Sequence, residues 1–377
     1  MTVSRRGLLR SAAAVVPAVV LGSVLPGTAR AAGGAGAVQP QWQLFPCPET
    51  YGTLGFNGLD FAPDGTGWAV GDHTTWGGFF EGSETEPAAW RWDGTQWTRF
   101  AASAFGDCET LRSVSVGGRD DAWAVGSATD LTPRLLHWDG KAWTNRTAGL
   151  RSAVQPARVS GSGSGVWLVG TRGGGDFGPV VLRWNGAQWS EVALPADVAG
   201  NVSLSTVKAV APDNVWVAGD IADGTGSASV RKPLVLHWDG GGWTRLPSPA
   251  GAAAGAVQDV LVKDDDVWAA GYAGGVPLAA RWDGRAWTAT SPAVVKGAGI
   301  TGLASYGAEV RATGYQLPPL QRWDGRAWST ATPPFAYVSG TAVLATGPDG
   351  SLWMAGRGGK SGTDSDNYTI ARLPAGA

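Results

Sequence analysis

The chain has 377 residues, of which 29 are Lys or Arg and 31 are Asp or Glu, so its formal net charge is −2. A mildly acidic chain without basic clusters argues against nucleic acid and anionic membranes as partners. With only two Cys and three His, the composition also argues against a disulfide-built scaffold and against a structural zinc or copper site.

The first 31 residues have the pattern of an export signal. Residues 4–9 read Ser-Arg-Arg-Gly-Leu-Leu, the twin-arginine pattern, and residues 29–31 read Ala-Arg-Ala, a small-x-small cleavage site. The apolar run over residues 12–25 is too short for a membrane span, and no Cys follows it to carry a lipid anchor. We therefore expect residues 1–31 to be a twin-arginine signal peptide, residues 32–40 a flexible leader, and the product to be secreted and extracellular, with no membrane anchor.

The phrase Trp-Asp-Gly-x-x-Trp occurs six times, with Asn185 replacing Asp in one copy. The copies begin at Trp92, Trp138, Trp184, Trp238, Trp282 and Trp323. Asp-Gly between two β-prone segments predicts a tight hairpin, because Gly tolerates the positive φ of the turn. The two Trp of each copy then face each other, which stabilises a hairpin by about 0.2–1 kcal/mol. Most of the aromatic content is therefore predicted to build the fold.

A second phrase, Trp-Ala-Val-Gly or a close variant, recurs seven times at intervals of 42 to 55 residues. Its copies begin at Trp68, Trp123, Trp167, Trp216, Trp268, Arg311 and Trp353. Self-similarity at this period, with strand and turn punctuation, indicates a propeller or a related array. In the second repeat, residues 111–116, 122–126 and 134–138 and the segment from Trp143 read as four antiparallel strands.

Four strands per repeat and seven repeats predict an all-β fold, a seven-bladed β-propeller that forms a single domain over residues 41–377. Residues 41–46 match the segment that follows each Trp-Asp-Gly hairpin, and residues 368–373 match the strand that precedes it. We expect the N- and C-terminal strands to pair and close the ring, which removes both open sheet edges.

The combined phrase, Trp-Ala-Val-Gly followed by Leu-x-x-His/Arg-Trp-Asp-Gly-x-x-Trp, resembles the repeat of secreted bacterial, especially actinobacterial, propeller proteins. These proteins are grouped loosely with the galactose oxidase/kelch superfamily. The resemblance covers about residues 41–373 and implies the propeller fold. Galactose oxidase itself binds copper through Tyr and His and carries a Tyr–Cys crosslink. The sequence does not match that constellation, so neither this activity nor a cofactor is expected.

In such a propeller, the connections between strands two and three and between strands four and one emerge on one face. The Asp-Gly hairpins of the other face are uniform, whereas these connections vary, as ligand-facing loops do. The longest is expected over residues 72–87, with the residues of interest Asp72, His73, Trp76, Phe79, Phe80, Glu81, Glu84 and Glu86. Its aromatic rings and acids either bind a sugar or fold the loop onto the rim.

A second group follows the second strand of each repeat, around the predicted mouth of the central channel. Its members are Asp72, Ser127, Thr171, Asp220, Tyr272, Tyr315 and Arg357. They form either a polar pocket asymmetric enough to orient a ligand or a set of unrelated surface residues. Our hypothesis places ligand binding at Asp72, His73, Trp76, Phe79, Phe80, Asp220, Tyr272, Tyr315 and Arg357.

Three further groups receive structural interpretations. His137 and His237 occupy the slot that Arg holds in other repeats, and we expect them to stack on an aromatic ring of the adjoining blade. The acidic runs at residues 120–121, 213–214 and 264–266 predict turns rather than metal or catalytic acids. Cys47 and Cys108 either form one disulfide bridge, which export permits, or remain unrelated thiols.

No catalytic grouping is recognised, so the first functional hypothesis is a monomeric, non-catalytic module that binds an extracellular glycan or cell-surface protein. The rival is a carbohydrate-active enzyme, a glycosidase or lyase, at the channel mouth. That chemistry needs two carboxylates about 5–10 Å apart. Asp72 and Asp220 are the only acids in the predicted ring and lie on blades one and four, so the nearer partner would come from the loop residues Glu81, Glu84 or Glu86. A scaffold for protein partners is the third alternative.

Overall fold

The computed structural model describes residues 41–47, 52–77, 82–147, 150, 154–173, 178–198, 202–223, 229–335, 337–359 and 368–376, with the backbone alone at residues 337–341 and 359. The described residues all fall within one compact unit. The predicted signal peptide and leader, residues 1–40, lie outside them. Within the described part of the chain, no helix has the length and apolar character that crossing a bilayer requires.

The described residues form seven antiparallel sheets of four strands each, arranged as a ring, so the prediction of a seven-bladed β-propeller is confirmed. The first strands of blades 1 to 7 are β2 (Thr53–Phe61), β6 (Cys108–Gly118), β10 (Val154–Ser160), β14 (Val202–Ala211), β18 (Gly255–Lys263), β22 (Gly299–Tyr306) and β26 (Tyr337–Thr346). The second strands are β3 (Gly67–Trp76), β7 (Asp121–Ala128), β11 (Trp167–Arg172), β15 (Asn214–Asp223), β19 (Asp266–Ala273), β23 (Glu309–Tyr315) and β27 (Leu352–Gly359).

The third strands are β4 (Ser83–Trp92), β8 (Pro133–Trp138), β12 (Pro179–Trp184), β16 (Val230–Trp238), β20 (Val276–Trp282), β24 (Gln321–Trp323) and β28 (Tyr368–Leu373). The fourth, outermost strands are β5 (Trp97–Phe100), β9 (Trp143–Asn145), β13 (Trp189–Glu191), β17 (Trp243–Arg245), β21 (Trp287–Ala289), β25 (Trp328–Thr330) and β1 (Gln43–Cys47). Each first strand contacts the first strands of both neighbouring blades, and together they enclose the central channel.

The two ends of the chain close the ring as predicted. Strand β1 pairs antiparallel with β28, from Gln43 opposite Arg372 to Cys47 opposite Tyr368. Phe45 of β1 stacks on Trp353 of β27 with 5.7 Å between ring centroids. The seventh blade is therefore built from three C-terminal strands and one N-terminal strand.

All six Trp-Asp-Gly-x-x-Trp segments are hairpins, which we call the Trp hairpins. Trp92 lies opposite Trp97 with 5.5 Å between ring centroids, and the other five pairs behave alike. Within the turn, the amides of Thr95 and Gln96 donate to Oδ1 of Asp93 at 2.8 and 2.9 Å. Gly94 has a φ of 104°, a conformation that other residues rarely adopt, so the turn requires glycine.

Neighbouring blades are joined by Trp clusters near the outer rim. Trp68 of blade 1 lies between the Trp hairpin rings of blade 2, with its centroid 5.4 Å from Trp138 and 4.9 Å from Trp143. The same three-Trp arrangement, here called the Trp junction, is made by Trp123, Trp167, Trp268 and Trp353. Since Trp353 of blade 7 contacts the hairpin of blade 1, the series runs through the closure.

Arg311 takes the place of this Trp in blade 6, and the structure explains the substitution. The next blade ends in β1 instead of a Trp hairpin, so a Trp at position 311 has no ring pair to contact. Arg311 instead lies over the ring of Tyr306, 5.1 Å from its centroid, and its Nη2 pairs with Glu309 at 2.6 Å. The exception in the repeat is therefore a consequence of how the ring closes.

In blades 1 to 6, a β-bulge interrupts the first strand opposite the Gly of the second phrase. In blade 1 the register shifts between Phe56 and Gly58, which leaves Asn57 as an extra residue. A Cβ on Gly71 would overlap the backbone oxygen of Gly55, so only glycine fits there. The equivalent glycines at 126, 170, 219, 271 and 314 face the same restriction. The bulge thus inserts one extra residue into the channel wall of each of these blades.

Candidate functional site

The central channel is the candidate site. The first strands of all seven blades line it, and it encloses a cavity of about 660 Å³, within the roughly 300–1,000 Å³ typical of ligand pockets. Five charged side chains lie in its wall: Asp60, Arg112, Arg158, Lys208 and Asp259. A polar, enclosed cavity of this size is able to hold a small ligand or one end of a larger one.

The charges are distributed unevenly around the channel. The three cations, Arg112, Arg158 and Lys208, lie on the consecutive blades 2, 3 and 4, and we call them the basic arc. Asp60 on blade 1 and Asp259 on blade 5 flank this arc. Blades 6 and 7 contribute only uncharged residues to the described lining, among them Thr301, Gly302, Leu303, Ala342, Val343 and Ala345. Such asymmetry can orient a bound molecule.

The two carboxylates are held by backbone amides of the neighbouring blade. Oδ2 of Asp60 accepts a hydrogen bond from the amide of Val116 at 2.8 Å. Oδ2 of Asp259 accepts one from the amide of Leu303 at 2.8 Å. Burial raises the pKa of both carboxyls above the ordinary Asp value, against the opposing effect of these amides and of Lys208. The acids therefore link blades and also retain their protons to higher pH than exposed Asp.

The cations have few protein partners. Nη1 of Arg158 donates to two backbone oxygens, those of Arg112 at 3.3 Å and Ala157 at 3.1 Å, and burial lowers the pKa of its guanidinium. The side chains of Arg112 and Lys208 make no hydrogen bond and no ion pair within 4 Å with any described residue. Their donors are thus available to a ligand.

The mouth of the channel contains the first of the predicted site residues. The side-chain amide of Asn57, the bulge residue of blade 1, donates to Oδ1 of Asp72 at 2.7 Å and to the backbone oxygen of Leu111 at 2.9 Å. Asp72 is therefore linked directly to the channel wall. Its position on β3 is opposite Gly55, just before the bulge, at the end of the channel where the 2–3 connections emerge.

The other predicted ring residues occupy the equivalent strand positions but mostly contact their own blades. Ser127 is buried and bonded to Thr110 at 3.1 Å, Asp220 pairs with Arg231, and Arg357 lies 5.7 Å from the ring centroid of Tyr368. Burial, together with nearby Tyr272, raises the pKa of Tyr315. None of the seven ring residues is among the described residues that line the cavity. Their role in ligand binding stays a prediction.

The prediction of a loop over residues 72–87 is wrong in one respect, because most of these residues form strands. Strands β3 and β4 continue their pairing as far as Trp76 opposite Ser83, so only residues 77–82 connect them. The Thr and Glu side chains of these two strand segments are half-buried or exposed, as in an antiparallel hairpin that faces solvent. His73 is buried with Nδ1 3.4 Å from Oε1 of Glu86, whereas Trp76 is 59 % exposed. Phe79, Phe80 and Glu81 lie outside the described residues.

The prediction that His137 and His237 stack on the adjoining blade is wrong. His137 lies 4.6 Å from Trp123 and His237 lies 4.2 Å from Trp216, measured between ring centroids, and both Trp belong to the same blade as the His. Strands two and three place these residues directly opposite each other, so they stack as cross-strand pairs. Burial lowers the pKa of His237.

Cys47 and Cys108 are not bridged, so the disulfide alternative is not realised. Cys47 ends β1 in the closing blade and Cys108 begins β6 in blade 2, and both thiols are buried. Burial raises the pKa of Cys108 to about 12. The acidic runs at residues 120–121, 213–214 and 264–266 lie at the turns between first and second strands, as predicted. Within the described part of the chain, no three His, Cys, Asp or Glu lie grouped as metal ligands.

Sequence reasoning missed the five charged channel residues. The available signal was a charge inside an otherwise apolar first strand, as in Leu59-Asp60-Phe61. The bulge hid it, since one extra residue breaks the alternation that shows which face of a strand a residue occupies.

No protein-family model and no curated protein sequence matches the chain. Among solved structures, catalytically inactive H270A virginiamycin B lyase from Staphylococcus aureus with quinupristin is similar at a TM-score of 0.60 and 12% identity, over 88% of this chain and 100% of that chain. YCF48 bound to D1 peptide is similar at 0.52 and 17% identity, over 89% and 97% of the two chains. The extracellular domain of a two-component system protein from B. thetaiotaomicron gives 0.59 and 10% identity, over 90% of this chain and 40% of that one. At these identities the similarities establish one property, the β-propeller fold.

Proposed function

We propose that the protein is a secreted, non-catalytic binding module. It receives an extracellular glycan or a segment of a cell-surface protein on the face of the 2–3 and 4–1 connections, and it holds part of that ligand in the central channel. The observation that carries the proposal is a channel of about 660 Å³ whose basic arc has donors that no described residue uses.

The scaffold suits binding because its site is formed before the ligand arrives. The central Trp of each Trp junction is buried, and Trp68 and Trp167 are fully inaccessible to solvent. Interiors packed in this way resist deformation. A preformed site avoids the free-energy cost of ordering loops on association. Propellers of similar fold are known in complex with quinupristin and with a D1 peptide, which is consistent with ligand binding on this architecture.

The extended hairpin of blade 1 supports a sugar or peptide ligand at the mouth. It carries the exposed ring of Trp76 on the β3 strand that also holds Asp72. An exposed aromatic face packs against the apolar side of a pyranose or against an apolar side chain. The predicted twin-arginine signal would place this surface outside the cell.

The proposal is tested with the mature chain, residues 32–377, screened on arrays of glycans and of extracellular peptides. In parallel, release of reducing ends from the same glycans is measured. Saturable binding without release is expected, and Asp72→Ala and Trp76→Ala should weaken it. The matched control is Lys141→Gln, an exposed change at the tip of the blade 2 Trp hairpin, which should leave binding unchanged. Turnover of any bound glycan would contradict a non-catalytic module.

An enzyme that acts on carbohydrate is the second candidate, and one observation favours it. Asp60 and Asp259 lie in the channel with raised pKa values, as a general acid requires. Each carboxylate, however, already accepts an amide hydrogen bond from the next blade, which gives it a structural task. Reducing-end release that is lost in both Asp60→Asn and Asp259→Asn would favour the enzyme. A protein partner captured with no glycan bound would favour a scaffold.

A further inference from the structure

We propose that the basic arc binds an anionic group of the ligand, a carboxylate, sulfate or phosphate, inside the central channel. The inference rests on the proposed function and names the chemistry of its ligand. The site consists of Arg112, Arg158 and Lys208, and the uncharged walls of blades 6 and 7 leave room for the remainder of the ligand.

The charge of the described channel wall is the first argument. Three cations face two carboxylates, and every other described lining residue is uncharged. The wall therefore has an excess of one positive charge even with both acids ionised. Because burial favours the neutral form of Asp60 and Asp259, the excess becomes larger as the pH falls. An enclosed positive charge attracts an anion more strongly than an exposed one does.

The unused donors are the second argument. A guanidinium has five N–H donors, yet Arg158 uses Nη1 alone, on two backbone oxygens. Arg112 and Lys208 donate to no described residue. The hydroxyl of Thr301, across the channel on blade 6, is buried without a partner among the described groups. Burial of a polar group without a partner costs free energy, and a ligand that accepts the hydrogen bond of Thr301 relieves this cost. The side chains of Arg112 and Lys208 are half-buried, so a ligand in the channel can reach their donors without displacing a protein partner.

The arrangement of the two arginines is the third argument. Nη1 of Arg158 lies 3.3 Å from the backbone oxygen of Arg112 on the neighbouring blade, so the two residues are adjacent in the wall. Guanidinium groups match the planar oxygen pairs of carboxylates and the faces of phosphate and sulfate. Lys208 on the following blade adds a third cation. Asp60 and Asp259 flank the basic arc on its two sides, and their carboxylates restrict an anion to the sector between them.

The test uses four probes at constant ionic strength: glucuronate, sulfate, phosphate and, as the neutral match of glucuronate, glucose. Binding to the mature chain is measured by titration calorimetry. We expect saturable binding of at least one anion, with affinity reduced about tenfold or more in Arg112→Gln, as the loss of a charge-assisted hydrogen bond implies. Lys141→Gln has the same change of charge far from the channel and should behave as the wild type. The anion with the highest affinity distinguishes carboxylate from sulfate or phosphate recognition.

The midpoint of thermal unfolding without ligand provides a second readout. If Arg112 had only a structural role, its replacement would lower this midpoint. The substitution Arg112→Gln removes no side-chain hydrogen bond or ion pair with described residues and reduces charge repulsion within the arc. The variant should therefore unfold at the same or a higher temperature than the wild type. A lower midpoint, or equal binding of all probes to Arg112→Gln and wild type, would overturn the inference. A neutral glycan found on the array and bound equally by Arg112→Gln would also overturn it, while the proposed function would stand.

Discussion

The rim and the channel of this propeller are built from the same repeats but use them in opposite ways. At the rim, successive blades place the same residue type at the same position, as in the Trp junctions centred on Trp68, Trp123 and Trp167. In the channel, equivalent positions differ from blade to blade: Asp60 on blade 1 corresponds to Lys208 on blade 4, since each pairs with the Trp of the second phrase. The fold thus depends on the positions that repeat, whereas the proposed recognition depends on the positions that vary.

Aspartate shows the same contrast in its chemistry. At the rim, the amides of Ala142 and Lys141 donate to Asp139 and lower the pKa of its carboxyl. In the channel, burial raises the pKa of Asp259 despite two amide donors. One residue type therefore serves as a turn cap in one region and as a buried, proton-retaining group in the other.

Removing one Trp junction is expected to have the largest effect. Trp167 is fully buried and lies 5.6 Å from Trp238 and 5.8 Å from Trp243, centroid to centroid. Trp167→Ala should lower the free energy of unfolding by about 3–5 kcal/mol, measured by denaturant titration. The matched control, Trp76→Ala on the exposed hairpin, should change it by less than about 0.5 kcal/mol. Similar losses for the two variants would contradict the division between rim and channel face.

Adding a methyl group at a bulge should have the next largest effect. A Cβ on Gly126 would overlap the backbone oxygen of Thr110, so Gly126→Ala should cost about 1–3 kcal/mol by forcing the inner strand to shift. Gly242 has no atom within 4 Å of an added Cβ, and Gly242→Ala should be nearly neutral. Chemical denaturation of both variants checks the difference, and a neutral Gly126→Ala would show that the bulge is not constrained by glycine.

Replacing Arg311 by the Trp that other blades have at this position should not stabilise the protein. In Arg311→Trp the new ring meets no Trp hairpin, and Glu309 keeps only its contact with Arg322. We expect a loss of about 1–2 kcal/mol from overpacking and from the broken ion pair. Thermal unfolding measures it. A gain in stability would mean that Trp is favoured at this position even without a partner hairpin.

The smallest expected effect is a difference in pH dependence between the two kinds of Asp. The folded state raises the pKa of Asp60, so its stabilising contribution is complete below the unfolded value of 3.8 and is lost as the pH rises through the folded pKa. For Asp139, whose pKa is lowered, the contribution is present above 3.8 and is lost as the pH falls through the folded pKa.

Unfolding free energies of Asp60→Asn and Asp139→Asn, each compared with wild type from pH 2 to pH 8, separate these cases. Relative to wild type, Asp60→Asn should gain stability as the pH rises above 3.8. Asp139→Asn should gain relative stability as the pH falls below that value. The same direction of change in both variants would show that burial does not control the pKa of the Asp60 carboxyl.

Much of the rim could be predicted from the sequence. The spacing of Trp92 and Trp97 around Asp-Gly predicted six cross-strand pairs, all of which form. The match of residues 41–46 and 368–373 to complementary parts of the repeat predicted the pairing of β1 with β28. These features are local or depend on repetition, so one sequence is enough to reveal them.

The channel could not be predicted in the same way. Whether Asp60 or Lys208 reaches the cavity depends on the bulge in its strand, and a shift of one residue reverses the face on which a side chain lies. The stacking partner of His237 depends on the register between β15 and β16, which the motif does not specify. The ring from Asp72 to Arg357 was identified because it adjoins a recurring glycine, and that position lies beside the cavity rather than in it.

Ligand recognition inside the channel is the central proposal for this protein. The most direct measurement is a crystal structure of the mature protein with the ligand found on the arrays. We expect the anionic group of that ligand to contact Arg112 and Arg158, inside the ring of first strands. A ligand bound on the Trp hairpins of the outer rim, with no contact to the basic arc, would contradict it.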